Sequence, residues 1–231
     1  MSLKILLVTA TNTEAESVTK LMGTTQVTGK FTFMDFEIEI LVTGVGSIST
    51  AWAMSTWFSR NSKPDLVINA GIAGSYRSEI GPGKVVVPVS DCFADSGIET
   101  SEGYMTIFEA GLEDPDRFPF KAGRLIAENR FVQIATENLK PVNAITVNTA
   151  SGSGETIEKL KAKFNPGIET MEGATFFYIC TGEGVPFLAI RAVSNMVEPR
   201  NRDKWEIPLA LSNLSEEVKR FIIILKEQYE N

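Results

Sequence analysis

The chain has 231 residues, 43% hydrophobic and 22% charged, the balance of an ordinary globular protein, so disordered and collagen-like classes are excluded. Lys plus Arg is 22 against 29 Asp plus Glu, a formal net charge of −7, and no Lys/Arg-rich run offers a footprint for nucleic acid. There is no histidine, which excludes Ser-His-Asp and Cys-His nucleophilic machinery and His-ligated zinc.

Residues Leu3 to Thr9 form an apolar run that predicts a buried parallel strand rather than a signal core. Thr11-Asn12-Thr13-Glu14-Ala15-Glu16 reads as a helix start, with Asn12 or Thr13 as cap. Glu14 has two readings here. It is a common first-turn glutamate, and it also stands at the mouth of the first strand, where a ligand would sit. Gln26 to Phe33 and Phe36 to Val42 predict a strand pair joined near Met34-Asp35. Gly44-Val45-Gly46-Ser47 leads into a helix over Ile48 to Ser59 that is rich in Trp and Met. Asp65 to Ala70 predicts another buried strand, ending in the small-residue turn Gly71-Ile72-Ala73-Gly74-Ser75. Small residues at a strand's carboxyl end let backbone approach a ligand closely. Neither Gly-rich turn matches a dinucleotide or phosphate-loop pattern.

Gly81-Pro82-Gly83 turns into a strand over Lys84 to Val89. Cys92 to Thr106 reads as strand and loop, Glu109 to Phe120 as loop, and Gly123 to Leu139 as a helix. Val142 to Val147 is a strand, Thr149 to Gly154 a small-residue loop and Glu155 to Lys163 a short helix. Glu172 falls at the start of an apolar helix over Ala174 to Cys180, a favourable place for a carboxylate. Val185 to Ile190 predicts a buried strand, with polar groups following in Arg191-Ala192-Val193-Ser194-Asn195. Ligands bind at such strand ends in open α/β sheets. Ile207 to Tyr229 closes the chain as an amphipathic helix.

Strands alternate with helices throughout, which predicts an α/β fold around a central sheet. Pro and Gly are dispersed and no linker is visible, so residues 1–231 are expected to form a single domain. Cys92 and Cys180 make neither a disulfide framework nor a CxxC metal site and read as reduced, buried thiols. The longest aliphatic stretch near the end, Phe221 to Leu225, is far too short for a bilayer. A cytoplasmic location, with no membrane partner, is expected.

Four features stand together in order: Ala10-Thr11-Asn12-Thr13-Glu14, Asn69-Ala70-Gly71-Ile72-Ala73-Gly74, Met171-Glu172-Gly173-Ala174 and Arg191-Ala192-Val193-Ser194-Asn195. Together they resemble the purine nucleoside phosphorylase and nucleosidase superfamily, in particular its methylthioadenosine/S-adenosylhomocysteine nucleosidase-like branch, over almost the whole chain. The resemblance implies a three-layer fold with a central mixed, twisted sheet flanked by helices. It implies Glu14 as general base orienting the attacking water, since glutamate ordinarily accepts a proton at neutral pH. Glu172 would hold the ribose hydroxyls and favour positive charge on the sugar, and Met171 would pack on the sugar. Ile72, Ala73 and Gly74 would line the water side of the ribose, and Ser194 would bind substrate beside Asn195. No cofactor and no metal is implied, and a homodimer or larger homo-oligomer is expected.

Adenine-releasing members of that branch carry Asp where this chain has Asn195. The continuation Glu198-Pro199-Arg200-Asn201-Arg202-Asp203-Lys204-Trp205 is similar to the futalosine hydrolases of menaquinone biosynthesis, which release hypoxanthine. Hypoxanthine has a carbonyl where adenine has an amino group, and an amide can donate to that oxygen and accept from a protonated N7. Mismatched buried polar groups discriminate strongly. Phosphorylases of the superfamily often hold phosphate with an arginine in the turn after the first strand. This turn has none, so hydrolysis is expected. Between Val142 and Lys163 there is no aromatic residue of the kind that often stacks on the base. Arg200 and Arg202 are candidates for the carboxylate of futalosine, although exposed arginines beside acidic residues are ordinarily solvated. The competing readings are a methylthioadenosine/S-adenosylhomocysteine-type or other purine nucleosidase, and a non-catalytic nucleoside-binding module.

Overall fold

The computed structural model describes residues 3–101, 103–199 and 201–230. Strand β1 (Lys4–Thr9) is buried at every position after Lys4, as a central strand covered on both faces requires. Helix α1 (Asn12–Leu21) follows. Its cap is Thr11, not Asn12 or Thr13: Thr11 has extended backbone, its hydroxyl accepts from Glu14 N, and the Glu14 side chain returns to Thr11 N. This reciprocal capping box satisfies two helix-end donors at once. Strands β2 (Gly29–Phe33) and β3 (Phe36–Val42) pair antiparallel through Met34 and Asp35, both in the left-handed region that a two-residue hairpin demands. Helix α2 (Ser47–Arg60) leads to β4 (Leu66–Ser75).

Strands β5 (Val85–Asp91), β6 (Gly97–Thr100) and β7 (Gly103–Thr106) come next, the last two forming a small separate hairpin. The helix expected over residues 123–139 is shorter. Leu125 and Ile126 form β8 (Leu125–Ile126) on the edge of β5, and α3 (Arg130–Thr136) begins only after them. The cause is Asn129, whose Oδ1 accepts from Phe131 N (3.0 Å) and Val132 N (3.3 Å) and sets the helix start. Its Nδ2 donates to Phe187 O (2.8 Å), tying that start to the sheet.

The chain continues through β9 (Lys140–Thr146), α4 (Gly154–Phe164), β10 (Ile168–Thr170), α5 (Gly173–Glu183), β11 (Phe187–Met196), a 3-10 turn at Arg202–Lys204 and α6 (Ile207–Glu230). Strand β11 lies parallel to β4 along its length, from Phe187 opposite Val67 to Met196 opposite Ser75. This neighbour explains why β4 continues through the glycines instead of ending at Ala70. It also places Arg191 inside a strand rather than after one.

The strand order is β10-β9-β5-β11-β4-β1-β3-β2, and β10 also pairs antiparallel with β4. Strands β4, β11, β5, β9 and β10 therefore close a circuit, from which β1, β3 and β2 extend as an open mixed sheet. Helices α1 and α6 pack together on β1, β4 and β11, while α2 and α5 pack together on β3, β4 and β9. The result is the expected α/β three-layer fold. Phe176, Phe177 and Phe187 meet edge to face beneath α5, with centroids 4.8–6.1 Å apart. Among the described residues no helix is long and apolar enough to cross a membrane.

Replacing Asn129 with Ala is expected to cost about 1–2 kcal/mol, by loss of the α3 cap and of the bond to Phe187. Asn129→Asp keeps the cap acceptor and should recover part of that loss. Urea unfolding of the three proteins checks this; equal midpoints would remove Asn129 as the helix start.

Candidate active site

The carboxyl ends of β1, β4 and β11, with β10 and the turn into α5, surround a cavity of about 350 Å³. All eight residues singled out from the sequence line it: Glu14, Ile72, Ala73, Gly74, Met171, Glu172, Ser194 and Asn195.

Glu14 is only 6% exposed, and its two carboxylate oxygens do different things. Oε2 accepts from Thr11 N (2.9 Å), Ala10 N (3.1 Å) and the Thr11 hydroxyl (2.9 Å). Oε1 accepts from Ile72 N (3.1 Å). The first oxygen is saturated by the helix start; the second keeps an acceptor position.

Arg191, 2% exposed, lies beneath this group. Nη1 donates to Asn69 O (3.1 Å) and Nη2 donates to Asn69 Oδ1. Asn69 in turn donates to Val8 O (3.0 Å), linking β11, β4 and β1. A Cβ on Gly71 would stand 2.9 Å from Glu14 Oε1 and 3.2 Å from Arg191 Nη1, so a residue without a side chain is needed where the two charges approach. Burial lowers the Arg191 pKa, and the charges of Glu172, Glu14 and Asp91 oppose that shift. A guanidinium stays protonated through it.

Glu172 stands at the start of α5 but makes no cap bond to that helix. Its Oε1 accepts instead from Gly46 N (2.8 Å), in the turn before α2. Burial raises its pKa; the Gly46 N–H and Arg191 act against that rise, and the Glu14 charge adds to it. The turn carrying Met171 and Glu172 is fixed from behind. Thr146 Oγ1 donates to Asp91 Oδ1 (3.1 Å) and accepts from Ala174 N (2.7 Å), while Thr170 Oγ1 accepts from Gly173 N (3.1 Å). Asp91 was not singled out from the sequence. It is wholly buried, its Oδ2 has no hydrogen-bond partner among the described residues, and burial pushes its carboxyl up to about 7.

Asn195 follows a bulge in β11. Val193 pairs with Ala73 and Asn195 with Gly74, so Ser194 is the extra residue. Asn195 Nδ2 donates to Met196 O (2.9 Å), and Oδ1 accepts from Ser194 Oγ (2.8 Å), which also lies 3.3 Å from Ala73 O. A backbone carbonyl only accepts, so the Met196 contact orients the amide. One N–H and one acceptor position remain uncommitted.

Glu169, Ser151 and Trp205, none of them singled out as a site residue from the sequence, also line the cavity. Trp205 is the one aromatic in the wall among the described residues, and no Lys or Arg lines it. Of the two arginines considered for a carboxylate, Arg202 is exposed and lies 6.0 Å from the Trp205 ring, and Arg200 lies outside the described residues. A signal for Glu169 did exist: it is an acidic residue between Ile168 and Thr170 just before the Met-Glu element.

Comparison with known proteins bears on this geometry. The model of the phosphorylase superfamily matches residues 4–228. Futalosine hydrolase of Streptomyces coelicolor is 31% identical over 196 residues, 81% of this chain and 80% of that protein. The 5'-methylthioadenosine/S-adenosylhomocysteine nucleosidase of Buchnera aphidicola is 28% identical over 204 residues, 85% of this chain and 83% of its own. The structure of futalosine hydrolase from Helicobacter pylori superimposes with a TM-score of 0.78 at 17% identity, covering 96% of this chain and 98% of that one. At that identity the likeness concerns the fold.

Removing the buried cation leaves its carboxylate and carbonyl partners uncompensated. Arg191→Met is expected to cost about 3–5 kcal/mol in urea unfolding, and a loss near zero would show that the site tolerates its absence. Asp91 gives a pH dependence of opposite sign to a salt-bridged carboxylate. Its folded pKa, about 7, lies above the ordinary 3.8, so its contribution to stability is complete below about pH 4 and is lost as pH rises toward 7. Asp91→Asn should therefore gain on the parent protein between pH 5 and pH 8. A stability difference that is flat across those two pH values would show that Asp91 titrates normally.

Proposed function

This chain belongs to the phosphorylase superfamily, and from that premise we propose that it is a hydrolase of the N-glycosidic bond of futalosine. It releases hypoxanthine and dehypoxanthine futalosine, a step of menaquinone biosynthesis. The observation that carries this reading is the Asn195 amide, oriented by Met196 O and left with one donor and one acceptor position in the cavity. Relatives named futalosine hydrolase support it.

The roles are those the family resemblance implies, and the hydrogen-bond capacity of the cavity fits them. Water approaches the anomeric carbon from the side of Ile72, Ala73 and Gly74. Glu14 Oε1, which is not saturated, takes its proton. Glu172 has one oxygen on Gly46 N, and its other oxygen binds the ribose hydroxyls while Met171 packs on the sugar. Negative charge there favours the cationic character that develops on the sugar. The free Asn195 N–H donates to the 6-oxo group, and Oδ1 accepts from N7–H of the departing base. N7 takes its proton from a second water, whose hydroxide is neutralised by the proton Glu14 has taken, so that one water in all is added across the glycosidic bond. Ser194 steadies that amide. Trp205 supplies the aromatic surface that the loop at 149–153 lacks. Hydrolysis is favoured over phosphorolysis because Glu14, Glu169 and Glu172 line the cavity, and among the described residues no lysine or arginine does.

A second reading, a methylthioadenosine/S-adenosylhomocysteine-type nucleosidase, has support in relatives of that name. The site we propose needs no cofactor. We assign the enzyme to the cytoplasm, in keeping with two buried free cysteines. A homo-oligomer is favoured by Ile48 (85% exposed) and Trp52 (76% exposed), which stand on α2 just beyond the cavity-lining Val45.

The test is incubation with futalosine and with methylthioadenosine, without phosphate, and chromatography of the freed base. Hypoxanthine from futalosine is expected. Adenine release alone would establish the second reading, and tight nucleoside binding without cleavage a non-catalytic protein. Glu14→Gln should lower kcat by about 10²–10⁴-fold with a far smaller change in KM; full turnover would remove Glu14 from the chemistry.

A further inference from the structure

Gly74 is the ladder partner of two residues at once: Glu169 on β10 and Asn195 on β11. Residues opposite each other on neighbouring strands project to the same side of a sheet. With strands about 4.8 Å apart, the Cα atoms of Glu169 and Asn195 are about 10 Å apart across the glycine. Gly74 adds nothing to the space between them. A Cβ there would stand 3.3 Å from Asn195 Nδ2 and 2.8 Å from Val197 Cγ2. Both flanking side chains line the cavity, so they frame one slot from opposite sides.

Glu169 is 7% exposed and has no cation partner among the described residues. Its donors are all neutral. Oε2 takes the Tyr76 hydroxyl (2.7 Å) and the Ser151 hydroxyl, and Oε1 takes Ser151 N (2.9 Å). Burial and the Glu169 charge push the Tyr76 hydroxyl well above its usual pKa, so it is held as a donor. Three fixed donors hold the carboxylate in one orientation and leave Oε1 with an acceptor position.

We propose that Glu169 is a specificity-determining residue of this site, its carboxylate accepting the N1–H of a 6-oxopurine base. The inference rests on reading the cavity as a purine nucleoside site. A 6-oxopurine carries a hydrogen on N1 beside its carbonyl; a 6-aminopurine presents a bare lone pair at N1. An acceptor-only carboxylate bonds the first and repels the second. Asn195 reads the 6-oxo and N7 side, Glu169 reads N1, and the two exclude adenine independently. Ser151 and Tyr76 are positioning residues that hold the carboxylate.

Binding of free bases by calorimetry tests this apart from catalysis. The ligands are hypoxanthine, 1-methylhypoxanthine and adenine; the proteins are the parent chain, Glu169→Gln and Ser151→Ala. The parent chain should bind 1-methylhypoxanthine about 10- to 100-fold more weakly than hypoxanthine, the loss expected for a hydrogen bond to a charged group. Glu169→Gln, which can donate to a bare N1, should lower the hypoxanthine-to-adenine preference by about 10-fold or more. Ser151→Ala keeps the carboxylate but removes one of the three donors that fix it, and should lower that preference by a smaller factor than Glu169→Gln does, as a positioning residue requires. Equal binding of hypoxanthine and its 1-methyl derivative by the parent chain overturns the inference even if the variants fail to fold. An unchanged preference in Glu169→Gln does so too. If hypoxanthine binds and N1 is indifferent, this inference fails alone; if no base binds, the purine reading of the cavity fails with it.

Discussion

Arg191 puts a guanidinium inside the central sheet, where it is almost fully buried, and much of the site is arranged around that charge. Taking an ion of this size out of water costs several kcal/mol, which only close partners offset. Asn69 supplies its backbone carbonyl and its side-chain oxygen, and Glu14, Glu172 and Asp91 supply negative charge around it. In return the cation moderates the repulsion between two carboxylates that share one cavity. The absence of a side chain at Gly71 is what permits the approach. Arg191 itself lies beneath the cavity and does not line it, so it conditions the site without offering substrate a cation.

The second organising constraint is the long register of β4 against β11. A ladder that ended at Ala70 would leave residues 71–75 as a mobile loop. Pairing to Ser75 instead fixes Ile72, Ala73 and Gly74 as backbone of known direction. Through it Glu14 gains the Ile72 N–H, and Asn195 gains a place opposite Gly74. The capping box adds economy of a different kind. One oxygen of Glu14 completes α1 and the other bonds Ile72 N at the cavity wall, so the proposed base needs no separate support to hold its rotamer.

Much of this was legible in the sequence. The apolar runs at Leu3 to Thr9 and Val185 to Ile190 gave β1 and the first four residues of β11, because strands covered on both faces carry little polarity. Resemblance to a family supplied the positions of Glu14, Met171, Glu172 and Asn195, and the structure gathers them in one cavity. What could not be read depends on contacts distant in the chain. Residues 123–139 have helical spacing, yet Leu125 and Ile126 find an open edge on β5 and Asn129 stops the helix reaching them. Arg191 looked like the first polar group after a strand, since nothing local announces that Asn69, 122 residues earlier, will solvate it. Glu169 was visible as a residue but not as a wall of the site. Its meaning comes from β10 pairing with β4, a link that closes the circuit of strands and has no signature in either segment alone.

The bulge at Ser194 acts on the strand as an inserted letter acts on a reading frame. Alternation along a strand assigns each side chain to a face by counting, and one extra residue shifts the count for everything after it. Were the same residues paired without the bulge, Gly74 would stand opposite Ser194, and Asn195 would be turned to the opposite face of the sheet. The identity of the group presented to the cavity is therefore set by parity as much as by the residue itself. Deleting Ser194 would close the bulge and leave the amide opposite Gly74, whereas straightening the strand with every residue kept would put a hydroxyl there in its place.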